Sequence, residues 1–271
     1  MAHYWAGGYS ICTKDGPIDR FVRSLFPEIT ILSSDGFGLE GFGNTPANQY
    51  PSSKYVGALC SRVQKENLVL LPLDDKTFED GLFKDTALPE WNTRQPILFW
   101  RGGSSGYEIP SIRERVIAAL IDSPHSDVKL THWGGWENGK GIPERFFAER
   151  CSVERHFGYK YILIVDGNCI ASNLQWVFGS GSVPVMVTHP DNDFWLKRYL
   201  LPMVNYVPIQ YDLSNLNETL EWLVTHDEEA KQISVYAKQL ADTIFEPQFQ
   251  REHLESECKR LTKSFIPMPS N

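Results

Sequence analysis

Short apolar runs alternate with polar, glycine-rich turns and with amphipathic helical patterns along most of the chain. The strongest run covers residues 159–165, and similar runs cover 96–100 and 183–187. Runs of this length between turn residues are typical of strands in a parallel sheet that is buried on both faces. Helical patterns follow them, most clearly at 111–120 and 228–244. The alternation predicts an α/β fold.

Weaker patterns complete the predicted organisation. The mixed stretch 74–94 is interrupted by Pro89, and we interpret it as a crossing between two domains. We expect a first domain at 1–94 and a second at 95–245, with a last helix within 246–271 that packs back on the first domain. Further strands are predicted at 28–32, 68–71, 127–130 and 206–209, and further helices at 18–25, 174–178, 216–224 (with Ser214 as N-cap) and 246–265.

Composition and charge narrow the classes of function. The chain has 271 residues, of which 42% are hydrophobic, and a formal net charge of -8, which argues against a nucleic-acid polymer as partner. The sequence has neither the basic and apolar segments of a signal peptide nor an apolar run of spanning length. Its five cysteines are scattered without a CxxC pair, which argues against zinc and against a disulfide framework. We therefore expect a cytoplasmic protein without a membrane span.

The loop after the predicted strand 96–100 could bind an anion. Glycines let backbone N–H groups approach a phosphate, and an arginine can hold its oxygens bidentately. The same residues also suit a plain tight turn. The loop matches neither the phosphate-binding pattern GxxxxGK[ST] nor the dinucleotide pattern GxGxxG, so neither ATP nor NAD is inferred. Its candidate binding residues are Arg101, Gly102, Gly103, Ser104 and Ser105.

A second candidate loop follows the strongest strand and precedes a predicted helix. Asp166 could orient a ribose or sugar hydroxyl, and Ser172 with free N–H groups could cap a phosphate. The other reading is that Asp166 and Asn168 serve only as turn and cap residues. The loop contains Asp166, Gly167, Asn168, Ala171, Ser172 and Asn173.

Carboxylates offer two further kinds of chemistry. Asp35 follows the predicted strand 28–32, where a general base could take the proton of an acceptor hydroxyl, although an aspartate before Gly36 also suits a turn. Asp191 and Asp193 form an Asp-x-Asp pattern that could hold a hard cation, or a solvated turn. The isolated residues His132, His156 and His189 are interpreted as surface or packed histidines.

Three segments together resemble glycosyltransferase family 90, the family of Rumi-like protein O-glucosyltransferases and fungal capsule xylosyltransferases. The resemblance extends from about residue 97 to 245 and is faint before residue 90. The segments are FWRGGSSG, KYILIVDGNCIASNLQWVFGSGSVPVM and WLKRYLLPMVNYVPIQYDLSNLNETLEWLVTHDEEAKQI.

The resemblance implies a GT-B-like arrangement, in which two Rossmann-like domains face a central donor cleft. It also implies sugar transfer from a UDP-sugar with inversion and without a metal ion. By position, Arg101 would contact the donor diphosphate with help from the backbone of residues 102–105. Residues 166–173 would form the second donor loop, and Asp35 best fits the place of the catalytic base.

Two positions depart from the family pattern, since Asn173 stands where an arginine is usual and Asn205 where a histidine is usual. Arg113 or Arg115 could supply the missing positive charge. The chain also resembles compact members of large algal viruses, which implies UDP-xylose ahead of UDP-glucose, a glycan or glycoprotein acceptor, and host-cell cytoplasm. Two alternatives stay open: a nucleotide- or carbohydrate-binding module without catalysis, and a metal-dependent transferase that uses Asp191 and Asp193.

Overall fold

The structure is a computed structural model that describes residues 14–32, 36–37, 44–45, 55–63, 66–82, 87–106, 108–132 and 141–263. These residues form two compact units. The larger contains 87–190 and 199–242, and the smaller contains 14–82, 191–198 and 243–263. The domain limits predicted from the sequence, 1–94 and 95–245 with a packed-back helix in 246–271, stay a prediction.

The elements before residue 87 are α1 (Pro17–Leu25), β1 (Thr30–Ile31), β2 (Gly36–Phe37), β3 (Asn44–Thr45), β4 (Val56–Ala58), β5 (Leu68–Leu70) and α2 (Asp75–Asp80). The later elements are β6 (Gln95–Gly103), α3 (Ile112–Leu120), β7 (Ser126–His132), α4 (Val153–His156), β8 (Tyr159–Val165), α5 (Leu174–Gly179), β9 (Val183–Val187), β10 (Val207–Ile209), α6 (Leu216–Thr225), α7 (Asp227–Ile244) and α8 (Pro247–Lys263). Short 3-10 helices occupy Trp91–Thr93, Glu144–Phe146 and Trp195–Tyr199. Within the described ranges, no helix is both long and apolar enough to cross a membrane.

The larger unit is built on a five-stranded parallel sheet in the order β10-β9-β8-β6-β7. From β6 the chain first adds β7 on one side and then returns to add β8, β9 and β10 on the other. The direction of strand addition therefore reverses between β6 and β8. In open α/β sheets, ligands bind at such a switch point, outside the carboxyl ends of the strands. The predicted α/β class is confirmed, and the parallel sheet fits a Rossmann-like fold.

The side chains of β6 alternate between two layers, as the pleat of a strand requires. Leu98 and Trp100 join the core on one face, with α3, α6 and the start of α7. Phe99 lies on the opposite face, where its ring stacks on Tyr159 at a centroid distance of 3.9 Å and meets the edge of His156 at 4.9 Å. Strands covered on both faces explain the continuous apolar runs of the sequence, since every residue of β8 and β9 is buried.

The smaller unit has a three-stranded parallel sheet, β1-β4-β5, with α1, α2 and α8 packed against one another. The carboxylate of Asp75 accepts a hydrogen bond from the backbone N–H of Ile18 and so ties α2 to α1. The buried amide of Gln250 on α8 donates to the carbonyl of Thr77 on α2, at 3.0 Å. Polar contacts between segments distant in sequence thus join these three helices.

Helix starts differ in how well the sequence predicts them. The helix predicted at 111–120 begins one residue later, at Ile112, because Ser111 is its N-cap and accepts through its hydroxyl from the N–H of Glu114. The predicted N-cap of α6, Ser214, is wrong: the N-cap is Asn215, whose side chain instead accepts from the N–H of Gln210. The stretch 74–94 also contains α2, a helix that the sequence interpretation missed, and Asp74 caps it through the N–H of Thr77.

The buried residue His156 makes stability depend on pH. Burial lowers the pKa of His156 from 6.5 to about 4, with the charges of Arg101 and Arg155 acting in the same direction. Between these two values the unfolded chain binds the proton and the folded protein does not, so protonation favours unfolding. We expect His156 to reduce the free energy of unfolding by about 3 kcal/mol as the pH falls from 7 to 4.

The measurement is urea denaturation of the wild type and of His156→Phe across this pH range. The variant loses the ring N–H bond to the carbonyl of Ser152, 3.0 Å away, and is expected to be less stable at pH 7. Its free energy of unfolding should nevertheless decline less steeply with acid than that of the wild type. Equal slopes for the two proteins would contradict the prediction.

Candidate functional site

The two candidate loops lie side by side at the switch point. Residues 104–106 follow β6 and residues 166–173 follow β8, and these strands are neighbours in the parallel sheet. Because parallel strands end at the same edge, the loops share the carboxyl edge of the sheet. The structure therefore brings together the two loops that the sequence singles out separately, one after β6 and one after β8.

Arg113, in the first turn of α3, joins these loops through its guanidinium group. One terminal nitrogen donates to the carbonyl of Gly103 at 3.1 Å and to the hydroxyl of Ser105 at 2.7 Å, both on the first loop. The Nε donates to the carbonyl of Asp166 at 3.0 Å, and Val165 accepts from the same side chain. These contacts hold the positive charge of Arg113 at the switch point.

Arg101 takes a different direction. One terminal nitrogen of its guanidinium donates to both carboxylate oxygens of Asp127 on β7, at 2.8 Å each, and the other donates to the backbone carbonyls of Trp100 and Asp127. The guanidinium also lies over the ring of Phe99. The side chain of Arg101 is 10% exposed and that of Asp127 is 36% exposed, and the carboxylate offsets the charge of the guanidinium. The contact of Arg101 with a diphosphate stays a prediction, and Arg113 is the arginine found between the loops.

One glycine in each candidate loop, Gly102 and Gly167, is closely packed against a neighbouring side chain. A Cβ on Gly102 would lie 2.3 Å from Cζ2 of Trp100, whose indole ring folds across the glycine. The guanidinium of Arg113 in turn lies 5.5 Å from the centre of that ring. On the second loop, a Cβ on Gly167 would lie 3.0 Å from a nitrogen of Arg113. Small residues at these positions let Trp100, Arg113 and both loops come together.

The other predicted binding residues divide by exposure. The side chain of Asn173 is buried and donates to the carbonyl of Leu163 at 2.9 Å, so it fixes the end of β8 to the start of α5. The carboxylate of Asp166 is also buried and accepts bonds from the loop after β9. Buried residues are Gly103, Ser104, Asp166, Gly167, Ala171 and Asn173, and half-buried ones are Arg101, Gly102, Ser105, Arg113, Asn168 and Ser172.

The carboxyl edge contains residues that the sequence interpretation missed. Thr188 and His189 follow β9, and Tyr211 follows β10. The rings of His189 and Tyr211 meet at 4.8 Å, and the guanidinium of Arg115 lies 5.2 Å from the Tyr211 ring. Arg115 also pairs with Glu108 at 2.8 Å. The position of Thr188, His189 and Tyr211 within two residues of the ends of apolar strands is the signal that could have found them. From the sequence alone, His189 is instead interpreted as an isolated surface or packed histidine.

The predicted metal candidates Asp191 and Asp193 belong to the smaller unit. Asp35 lies outside the described residues. Asp193 pairs through its backbone with Ser61, and Asn192 accepts a side-chain bond from Arg62 at 2.7 Å, so this turn is tied within the smaller unit. In the part of the chain that the structure describes, no three His, Cys, Asp or Glu side chains cluster as metal ligands. Independence from metal stays a prediction.

Comparison with known proteins gives the class. The model of glycosyl transferase family 90 matches residues 75–248. Protein O-glucosyltransferase 2 of Danio rerio is 32% identical over 157 residues, 57% of this chain and 30% of that protein. O-glucosyltransferase LpsA of Dichelobacter nodosus is 28% identical over 183 residues, 68% of this chain and 54% of that protein. Uncharacterized protein 027R of Frog virus 3 (isolate Goorha) is 27% identical over 172 residues, 55% of this chain and 18% of that protein.

The parallel α/β sheet is consistent with a Rossmann-like glycosyltransferase fold. The family match covers more than half of the chain, and the chain belongs to glycosyl transferase family 90. The family predicted by resemblance is thereby confirmed. The chain spans 18% to 54% of the length of the three relatives named above.

The contact between Gly102 and Trp100 predicts that adding a single methyl group at position 102 lowers the stability of the protein substantially. Gly102→Ala should lower the free energy of unfolding by about 2 kcal/mol, because the indole must leave its place over the loop. Gly158→Ala is the matched control, since its Cβ would lie an ordinary 3.5 Å from the carbonyl of Arg155 and should change stability by about 0.5 kcal/mol or less. Equal denaturation midpoints for the two variants would contradict the close contact.

Proposed function

We propose that this chain is an inverting, metal-independent glycosyltransferase that transfers a sugar from a UDP-sugar to a hydroxyl group of a glycan or glycoprotein. Membership of family 90 supports the transferase class. The GT-B arrangement of two Rossmann-like domains is part of the proposal, as is a cytoplasmic location. The names of the Danio rerio and Dichelobacter nodosus relatives support O-glucosyl transfer.

The observation that carries the proposal is the position of Arg113 between the two loops of the switch point. The diphosphate of a UDP-sugar is an anion that needs fixed positive charge and hydrogen-bond donors as it leaves. Arg113 provides the charge at this edge and donates to the hydroxyl of Ser105, and the second loop contains the half-buried polar residues Asn168 and Ser172. Arg113 therefore takes the role of the arginine that the family pattern has in place of Asn173.

In the proposed reaction, the acceptor oxygen attacks the anomeric carbon from the face opposite the diphosphate. The new bond between acceptor oxygen and anomeric carbon forms as the bond from that carbon to the diphosphate oxygen breaks, and UDP leaves with the bonding electron pair. Asp35 takes the proton of the acceptor hydroxyl. Arg113 stabilises the negative charge that develops on the leaving UDP.

The donor sugar is the finer part of the proposal. The resemblance to compact viral members predicts xylose first and glucose next, whereas the names of two relatives support glucose. A donor panel must therefore contain both UDP-xylose and UDP-glucose. The preferred sugar is the one with the higher kcat/KM for UDP release.

The experiment measures UDP release from this panel, with and without EDTA, for the wild type and for Arg113→Gln, Arg115→Gln and Asp35→Asn. Arg113→Gln should lower kcat/KM by about 100-fold, since it removes a positive charge from the leaving group. Arg115→Gln should lower it less, by about fivefold at most, because Arg115 pairs with Glu108. Asp35→Asn should bind UDP normally and release little of it from a UDP-sugar.

Each part of the proposal has its own contradicting result. Full activity in Arg113→Gln would remove the assigned role of Arg113. UDP binding without release from any donor, even with a glycan acceptor panel, would favour the non-catalytic binding module. Activity that EDTA abolishes and that Asp191→Asn lowers would favour the metal-dependent alternative.

A further inference from the structure

The carboxylate of Asp166 is nearly inaccessible and is held by the neighbouring loop. Asp166 is 2% exposed. One of its oxygens accepts from the hydroxyl of Thr188 at 2.7 Å and from the backbone N–H of His189 at 2.8 Å. Burying a carboxylate is costly unless charge-assisted hydrogen bonds compensate for the lost water. The two donors from the loop after β9 provide this compensation.

Asp166 connects two parts of the carboxyl edge through different atoms. Its backbone carbonyl accepts from the Nε of Arg113 at 3.0 Å, on the side of the switch point. Its carboxylate binds Thr188 and His189, on the side of β9. A displacement of the loop after β9 would therefore move a residue that also contacts Arg113.

The loop after β9 contains a side chain, His189, that could contact a bound nucleotide. The half-buried side chain of His189 lies at the carboxyl edge and meets the ring of Tyr211, two residues after the end of β10. An imidazole and an aromatic ring can contact the sugar or the base of a bound nucleotide by hydrogen bonding and stacking. β9 is the strand next to β8, so this surface continues the candidate loops along the same edge.

We propose that Asp166 is a positioning residue, whose carboxylate fixes the loop after β9 so that His189 forms part of the surface that binds the UDP-sugar. Asp166 acts on the donor through Thr188 and His189 and not by a contact of its own carboxylate with a sugar or ribose hydroxyl. This inference rests on the proposed function, because it concerns the same donor.

A double-mutant cycle separates positioning from direct contact. UDP affinity is measured by calorimetry for Asp166→Ala, Thr188→Val and the double variant. Positioning predicts that Thr188→Val, which removes one donor with little change of shape, weakens UDP binding by about tenfold. In the Asp166→Ala background the same change should have no further effect, because the bond it removes is already lost. Thr188→Ser restores the hydroxyl and should recover most of the lost affinity.

Other results would overturn the proposal. Unchanged UDP affinity in Thr188→Val would do so, as would effects of the two single changes that multiply in the double variant. Either result would mean that the bond between Thr188 and Asp166 does not position the surface that binds UDP. His189→Ala should also weaken UDP binding, and an unchanged affinity would remove His189 from the surface.

Amide hydrogen exchange supplies a measurement without ligand. The N–H of His189 donates to Asp166, so its exchange should be slow in the wild type and faster in Asp166→Ala. Unchanged exchange would refute the positioning contact, whatever the protein binds. A wild type that binds neither UDP nor a UDP-sugar would overturn the proposed function and the donor part of this inference, while the exchange result would still decide whether Asp166 fixes the loop.

Discussion

The guanidinium of Arg113 is the contact on which the organisation of the carboxyl edge depends. At the switch point, β6 is connected to a strand on one side and β8 to a strand on the other, and the carbonyl groups at the ends of both strands lie at the same edge of the sheet. Arg113 donates to carbonyls of both strands' ends, Gly103 on one side and Val165 and Asp166 on the other. The helix α3, which follows β6, thereby places a positive side chain beside the backbone carbonyl groups at the ends of β6 and β8.

Several features follow from this single side chain. Gly167 must be small because Arg113 lies against it, and the ring of Trp100 packs near the guanidinium. Ser105 is oriented by the bond that it accepts. Asp166 extends the network to the next loop through its carboxylate. The loops at this edge are thus fixed by hydrogen bonds. A ligand that binds there meets groups already in place, which limits the entropy lost on binding.

The elements of the larger unit were predictable where burial is complete. β8 and β9 coincide with their predicted limits because every residue is apolar or covered, and the runs end at polar or glycine residues. The six-residue helix α2 is too short for a clear apolar period and was missed. The N-cap of α6 was misplaced by one residue because Leu213 adopts a left-handed backbone conformation, with φ of 65°, and the amide of Asn215 is bonded to the end of β10.

The sequence predicts which loops form the candidate site, but it does not predict which groups their side chains bind. The sequence places Asp166 directly after β8, as the structure does, but it places Arg101 in a loop, whereas β6 continues to Gly103. The groups that bind these side chains are 26 residues away for Arg101 and 22 for Asp166. Such pairs are decided by strand order, which local pattern does not contain. The indole that covers Gly102 has an evolutionary consequence. A side chain at position 102 is therefore accommodated at a lower cost in stability in a relative whose residue at position 100 is smaller than tryptophan.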